Sequence, residues 1–123
     1  MKWRAMVGLV ASLILILSSG AHSILGWKSL AAQLAATNAP ADLVRGLQIG
    51  WEFGGFAMLA FGIIAATIFL RRLRGEAVST LPTIVIGVFY VLFGAWALLV
   101  SRDPFFLIML VPGALMLLAS WPR

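Results

Sequence analysis

The sequence predicts an all-α integral membrane protein, a four-helix bundle with both termini on the cytoplasmic side. Three observations predict it. Apolar residues make up 63% of the 123 residues and charged residues only 11%, against about 45–50% and about 25% in soluble domains. Four apolar runs, 6–26, 47–70, 81–100 and 104–121, are each long enough for a spanning helix, which needs roughly 17–25 residues. Lysine and arginine fall mostly at the ends of those runs. A soluble domain could not hide this much apolar surface, whereas a bilayer can act as its solvent. The whole chain, 1–123, reads as one transmembrane domain with short connections.

The first run follows Lys2 and Arg4 and stops before Trp27, an interfacial aromatic. Residues 1–4, the apolar stretch 6–17 and the small residues 19–21 also have the layout of a cleavable signal peptide. The run continues through Ile24 and Leu25 to Trp27, which suits a retained helix better. On a helical projection, Gly8, Ala11, Ser12, Leu15, Ser18, Ser19, His22 and Gly26 share one face. The connection 27–46 is the longest. Leu30, Leu34 and the alanines around them suit a short helix at the membrane surface, ended by Asn38 and Pro40, and residues 42–45 are expected to begin the second helix before it enters lipid.

The second run is closed by Arg71, Arg72 and Arg74, and Gly75 breaks it. Gly46, Gly50 and Gly54 recur every four residues, a close-packing ridge of the Gly-x-x-x-Gly type. Such ridges also pair helices between subunits, so a homodimer or a larger membrane complex is an open expectation. Gln48, Glu52, Gly55 and Leu59 lie roughly opposite. In the third run Thr80 is the expected cap and Pro82 sits in the first turn. Thr83, Gly87, Tyr90, Gly94, Ala97 and Ser101 form a stripe of mostly small residues, which should face protein because Gly87 and Gly94 let backbones approach. Asp103 before Pro104 reads as the N-cap and first residue of the fourth helix. Pro112 and Gly113 lie mid-span, where a lost backbone hydrogen bond predicts a kink.

Orientation follows the basic residues. With four spans, Lys2, Arg4, Arg71, Arg72, Arg74 and Arg123 share one side, and Lys28, Arg45 and Arg102 the other. The richer side should be cytoplasmic, and a bacterial inner membrane suits the pattern. The net charge of +5 is explained by these helix ends, and no basic patch on a polar surface points to nucleic acid. Cysteine is absent, which excludes disulfides, Cys-ligated zinc, iron–sulfur clusters and covalent haem attachment.

Two ionisable residues lie inside the apolar runs, His22 and Glu52. An ionised group inside the bilayer costs about 2.5 kcal/mol or more, so such residues seldom lack a purpose. His22 is four residues before Gly26 on an outgoing helix, and Glu52 is five after Leu47 on an incoming one. Their depths therefore match, and a His22–Glu52 pair is expected in the outer half of the bundle. Ser18, Ser19, Gln48 and Trp51 would complete its polar surroundings, with Tyr90 near the floor. The pair can serve as polar glue between helices, or as a site that binds a ligand or moves a proton. One His and one Glu are too few for a zinc or di-iron site, so no metal and no cofactor are expected. There is no Gly-rich phosphate loop, and no catalytic residue can be assigned.

The length and four-span layout resemble small bacterial membrane families such as small multidrug exporters, fluoride channels and DoxX-like proteins. The first of these carries a membrane Glu in its first helix and the second an early Gly-rich, Arg-containing motif. Neither feature occurs here, so no residue role is carried over. The expected function is that of a small polytopic membrane protein with an accessory or structural role and no catalytic activity. The alternative is a small-molecule or proton-coupled transporter or binding protein built on His22 and Glu52.

Overall fold

The computed structural model describes residues 2–121. Arg123, counted above with the cytoplasmic basic residues, and Met1, at the head of the signal-like segment, lie outside the described residues. Helix α1 spans Lys2–Ala21, a π-helical segment covers His22–Gly26, and α2 continues over Trp27–Ala36. These three form one continuous helix, Lys2–Ala36. Helix α3 spans Ala41–Leu73, α4 spans Leu81–Ser101, and a 3-10 turn at Pro104–Phe106 leads into α5, Leu107–Ser120. Lys2–Ala36, Ala41–Leu73 and Leu81–Ser101 are long and apolar enough to cross a membrane. The fourth helical segment, Pro104–Ser120, is apolar but shorter.

The first connection differs from expectation. No separate surface helix follows a break near residue 27; the first helix runs on to Ala36, whereas α3 begins at Ala41, in line with the helix start expected at residues 42–45. The segment Trp27–Ala36 is mostly alanine, leucine, glutamine and lysine, strong helix formers with no glycine or proline among them. The chain then reverses within a few residues. Asn38 takes a φ of 51°, its N–H donates to the Ala35 carbonyl, and the Ala39 N–H reaches back to that of Leu34. This is a Schellman closure with Asn in the left-handed position. Pro40 is extended and opens α3. The same closure ends α3: Gly75 has a φ of 84°, and the Gly75 and Glu76 N–H groups bond to Arg72 and Arg71.

Helices α1 and α3 pack as one antiparallel hairpin and α4 with α5 as another, and the two hairpins meet chiefly through α1 and α5. Glycines set the approach within each hairpin. A methyl on Gly62 would meet the Ile16 backbone nitrogen at 3.1 Å and the Ser12 carbonyl at 3.2 Å. Gly8 faces the Phe69 ring, and Gly55 faces Ser23. In the other hairpin Gly113 lies against the Val91 nitrogen and the Gly87 carbonyl, and Gly94 against the backbone of Leu110. α5 stays helical through Pro112, and both Pro112 and Gly113 are buried. The core between the hairpins gathers Ala11, Leu15, Ala65, Phe69, Ile86, Tyr90, Met116 and Ala119.

The hairpins differ in length. At 1.5 Å per residue the helices of 35 and 33 residues are each about 50 Å long, while α4, with 21 residues, is about 30 Å. Arg4 Nη1 donates to the Trp121 carbonyl at 3.2 Å, which aligns the two hairpins at the end where α1 begins. The excess length therefore stands at the opposite end. There, no residue from 27 to 50 is buried.

Candidate functional site

The π-helical segment His22–Gly26 sits where α1 leaves the company of the second hairpin. A π-turn fits one extra residue into the helix and turns side chains away from the α-helical register; such turns recur at functional positions. Here it brings His22 and Ser23 against Gly54 and Gly55 of α3. A methyl on Gly54 would lie 3.3 Å from the His22 Nε2.

His22 binds α3 through Trp51. Its Nε2 donates to the Trp51 carbonyl at 3.0 Å. A carbonyl can only accept, so Nε2 carries the hydrogen. In return the Trp51 indole Nε1 donates to the His22 carbonyl at 2.8 Å. The two rings stack with centroids 4.4 Å apart and planes 4° from parallel. Gly26 leaves room for the indole, since a methyl there would meet the Trp51 Cζ2 at 2.9 Å. One histidine and one tryptophan thus link the two helices by two hydrogen bonds and a stacked ring pair.

The expected His22–Glu52 pair is joined by neither a salt bridge nor a hydrogen bond among the described residues. His22 does reach the level of Glu52, but its Nε2 engages the backbone of the residue before it. Glu52 is half-buried. The other expected members of the cluster are dispersed. Ser19 is buried and donates to the Ile16 carbonyl at 2.6 Å, a bond back to its own helix of the kind serine makes in helix interiors. Ser18 is half-buried on α1. Gln48 is exposed and lines a shallow recess of about 510 Å³ between α2 and the start of α3, together with Ala31, Leu34, Asn38 and Arg45. Tyr90 lies in the core with Leu15 and Phe69, 2% exposed, and its hydroxyl has no hydrogen-bond partner among the described residues. Among the described residues no three His, Asp or Glu side chains stand together as a metal site would require.

The packing glycines divide as well. Gly87 and Gly94 press against α5, and Gly54 against His22. Gly46 and Gly50 meet nothing within 4 Å, because they belong to the overshooting part of α3.

Two polar clusters at the other end escaped the sequence reading. Thr80 stands at the N-cap position of α4, as expected, but its side chain makes no capping bond. Its hydroxyl donates across to the Ser120 carbonyl at 3.0 Å. The Ser120 hydroxyl donates to Thr83 Oγ1 at 2.7 Å, which donates to the Thr80 carbonyl at 2.8 Å. The end of α5 is also held by two arginines: Arg72 Nη1 donates to the Ala119 carbonyl at 2.8 Å, alongside the Arg4 bond to Trp121. Basic side chains commonly satisfy the last carbonyls of a helix in this way. Only pairwise reach across helices reveals these contacts; the threonine and serine spacing carries no motif. The expected cap at Asp103 is present, its carboxylate accepting from the Phe105 N–H at 2.9 Å.

The described residues thus form an all-helical bundle clasped by polar contacts near both ends. The chain matches no protein-family model, no curated protein and no solved structure.

Proposed function

We propose that this chain is a multi-pass membrane protein with four spans and cytoplasmic termini, and that its role is structural or accessory, without catalysis. The observation that carries the second part is the reciprocal His22–Trp51 bonding. The only histidine of the chain engages a backbone carbonyl with one nitrogen and an indole with its ring face. Polar contacts of this kind join helices where lipid offers no hydrophobic drive for association.

The membrane part is supported by three long apolar helices and by outward residues such as Leu17, Phe53, Phe56 and Leu99, each more than 70% exposed. A fourth segment of 17 residues lies at the short limit for a span. Charge distribution supports the orientation. Lys2, Arg4, Arg71, Arg72 and Arg74 gather at one end, and Lys28, Arg45 and Arg102 at the other. With about 30 Å of hydrocarbon to cross, the distal part of the α1–α3 hairpin would stand beyond the outer face.

A second reading is favoured by one observation: Glu52 is half-buried near the level of the π-turn and joins no ion pair among the described residues. It makes the site a proton-handling one. Proteoliposomes loaded with a pH-sensitive dye and given a pH step separate the readings. The structural reading expects proton flux equal to that of empty liposomes. A flux that disappears in Glu52→Gln or His22→Gln replaces it with the transport reading.

A further inference from the structure

The end of the molecule where α1 begins and α3 stops is basic and concave. A recess of about 270 Å³ opens there, lined by Lys2, Ala5, Arg72, Leu73, Arg74 and Gly75. The chain has four side-chain carboxylates: Asp42, Glu52, Glu76 and Asp103. Asp42, Glu52 and Asp103 belong to the opposite end. Glu76 is engaged by Arg71, whose Nε lies 2.6 Å from its Oε2. Lys2, Arg72 and Arg74 therefore line the recess with no ion pair among the described residues. Arg72 uses Nη1 on the Ala119 carbonyl, which fixes its guanidinium at the rim.

Three cations around a hollow with no carboxylate among the described residues suit an anion. Two guanidinium forks and an ammonium suit the oxygens of a phosphate group. The surroundings favour a phosphate attached to acyl chains. Met6 lies one turn in from Lys2, and Leu70 one turn in from Arg74, on the same helix faces. Both are exposed apolar residues, and they continue the lining down the sides of the bundle. A small phosphate in water would have no use for that flank.

We propose that this recess binds the phosphate-bearing headgroup of an anionic lipid from the cytoplasmic leaflet, with the acyl chains lying along Met6 and Leu70. Basic pockets between helices on the cytoplasmic side bind such headgroups. The proposal rests on the membrane reading above.

The test is native mass spectrometry of the purified full chain in neutral detergent with equal amounts of phosphatidylglycerol and phosphatidylcholine. Phosphatidylglycerol should be retained preferentially. Lys2→Gln with Arg74→Gln should reduce its retention by about tenfold or more, as loss of two surface cations implies. Lys28→Gln with Arg45→Gln removes equal charge from the other end and should change nothing. Neither pair touches a contact between helices, so both variants remain folded, and Arg74→Lys should keep most of the binding. Equal retention of both lipids, or equal loss in both double variants, overturns the proposal. Millimolar inorganic phosphate should leave the lipid bound; displacement assigns the recess to a free anion and overturns the lipid source. Alkaline extraction of membranes is a separate arm. A chain released into the soluble fraction refutes membrane insertion itself, whatever the recess binds.

Discussion

His22 and Trp51 each donate a side-chain hydrogen bond to the other's backbone carbonyl, at 3.0 and 2.8 Å. Both carbonyls belong to helices, so each accepts a side-chain hydrogen in addition to its place in the backbone ladder. The π-turn makes this reach feasible, because its displaced register turns the imidazole toward α3 while the Trp27 N–H bonds back to the His22 carbonyl. Losing either side chain removes the stack and that residue's own bond, while the other side chain still faces the backbone carbonyl it donates to.

A double-mutant cycle on this pair follows. His22→Ala and Trp51→Ala should each destabilise the bundle, and the double variant should cost less than the two combined. Each hydrogen bond ends on a backbone carbonyl that the partner's substitution leaves in place, so the coupling comes from the stack and is expected at about 0.5–1.5 kcal/mol, as for aromatic pairs. Unfolding in mixed micelles with rising denaturing detergent measures it. Strict additivity would mean that the two residues act apart.

The glycines give a contrasting pair of outcomes. Gly62→Ala places a methyl 2.6 Å from Ile16 Cγ1 and against the backbone of α1. Backbone cannot rotate aside, so the helices must separate, at about 1–3 kcal/mol for overpacking. Gly46→Ala and Gly50→Ala meet open space, and the better helix propensity of alanine should stabilise by up to about 1 kcal/mol each. Thermal melts in detergent read both. A lower melting temperature for Gly46→Ala or Gly50→Ala would show that the ridge is occupied, and a shift in oligomeric state on size exclusion would name a second copy as the occupant.

Much of this architecture is visible in the sequence because its long apolar helices set small residues on the faces that pack and bulky ones on the faces that do not. The face of α1 holding Gly8, Ala11, Ser12, Leu15 and Ser19 is buried, and so is the α4 stripe of Thr83, Gly87, Tyr90, Gly94 and Ala97. The turn at Gly75 and the cap at Asp103 follow from local backbone chemistry. What was not legible depended on helix length and register. Hydropathy falls at Trp27, but helix propensity does not, so the helix outlasts its apolar stretch. Depth matching brought His22 and Glu52 to one level, yet a π-turn changes the register, and no composition signal announces one. The partner is thus the neighbouring Trp51. Gly46 and Gly50 have the ridge spacing but stand beyond the end of the second hairpin.

The hydroxyl chain joining Thr80, Thr83 and Ser120 should behave as one unit. Ser120→Ala removes the donor to Thr83, while Thr83 keeps its own acceptor at Thr80. Thr83→Val leaves the buried Ser120 hydroxyl without its acceptor. A hydrogen bond is worth about 1 kcal/mol, and an orphaned buried partner costs about 1–3 kcal/mol. Thr83→Val should therefore be the more damaging single change, and adding Ser120→Ala to it should recover stability. Recovery on the second substitution is the diagnostic outcome; a further loss would show that the two hydroxyls do not depend on each other.

Tyr90 poses the sharpest question about the core. Its ring fills the centre of the bundle beside Leu15, Phe69 and Met116, while its hydroxyl is buried without a partner among the described residues. An unpaired buried hydroxyl costs about 1–3 kcal/mol relative to solvation, so deleting it while keeping the ring should help. Tyr90→Phe is expected to raise stability by about 1 kcal/mol, or at least to leave it unchanged, whereas Tyr90→Ala should lose about 3–5 kcal/mol through the cavity. The same pair tests the transport reading. A hydroxyl that serves a proton path would leave Tyr90→Phe folded but impaired in flux. A hydroxyl kept only because its ring packs would leave flux unchanged and the protein more resistant to denaturing detergent. A Tyr90→Phe variant that is markedly less stable contradicts both, since it requires a bonding partner for the hydroxyl inside the bundle.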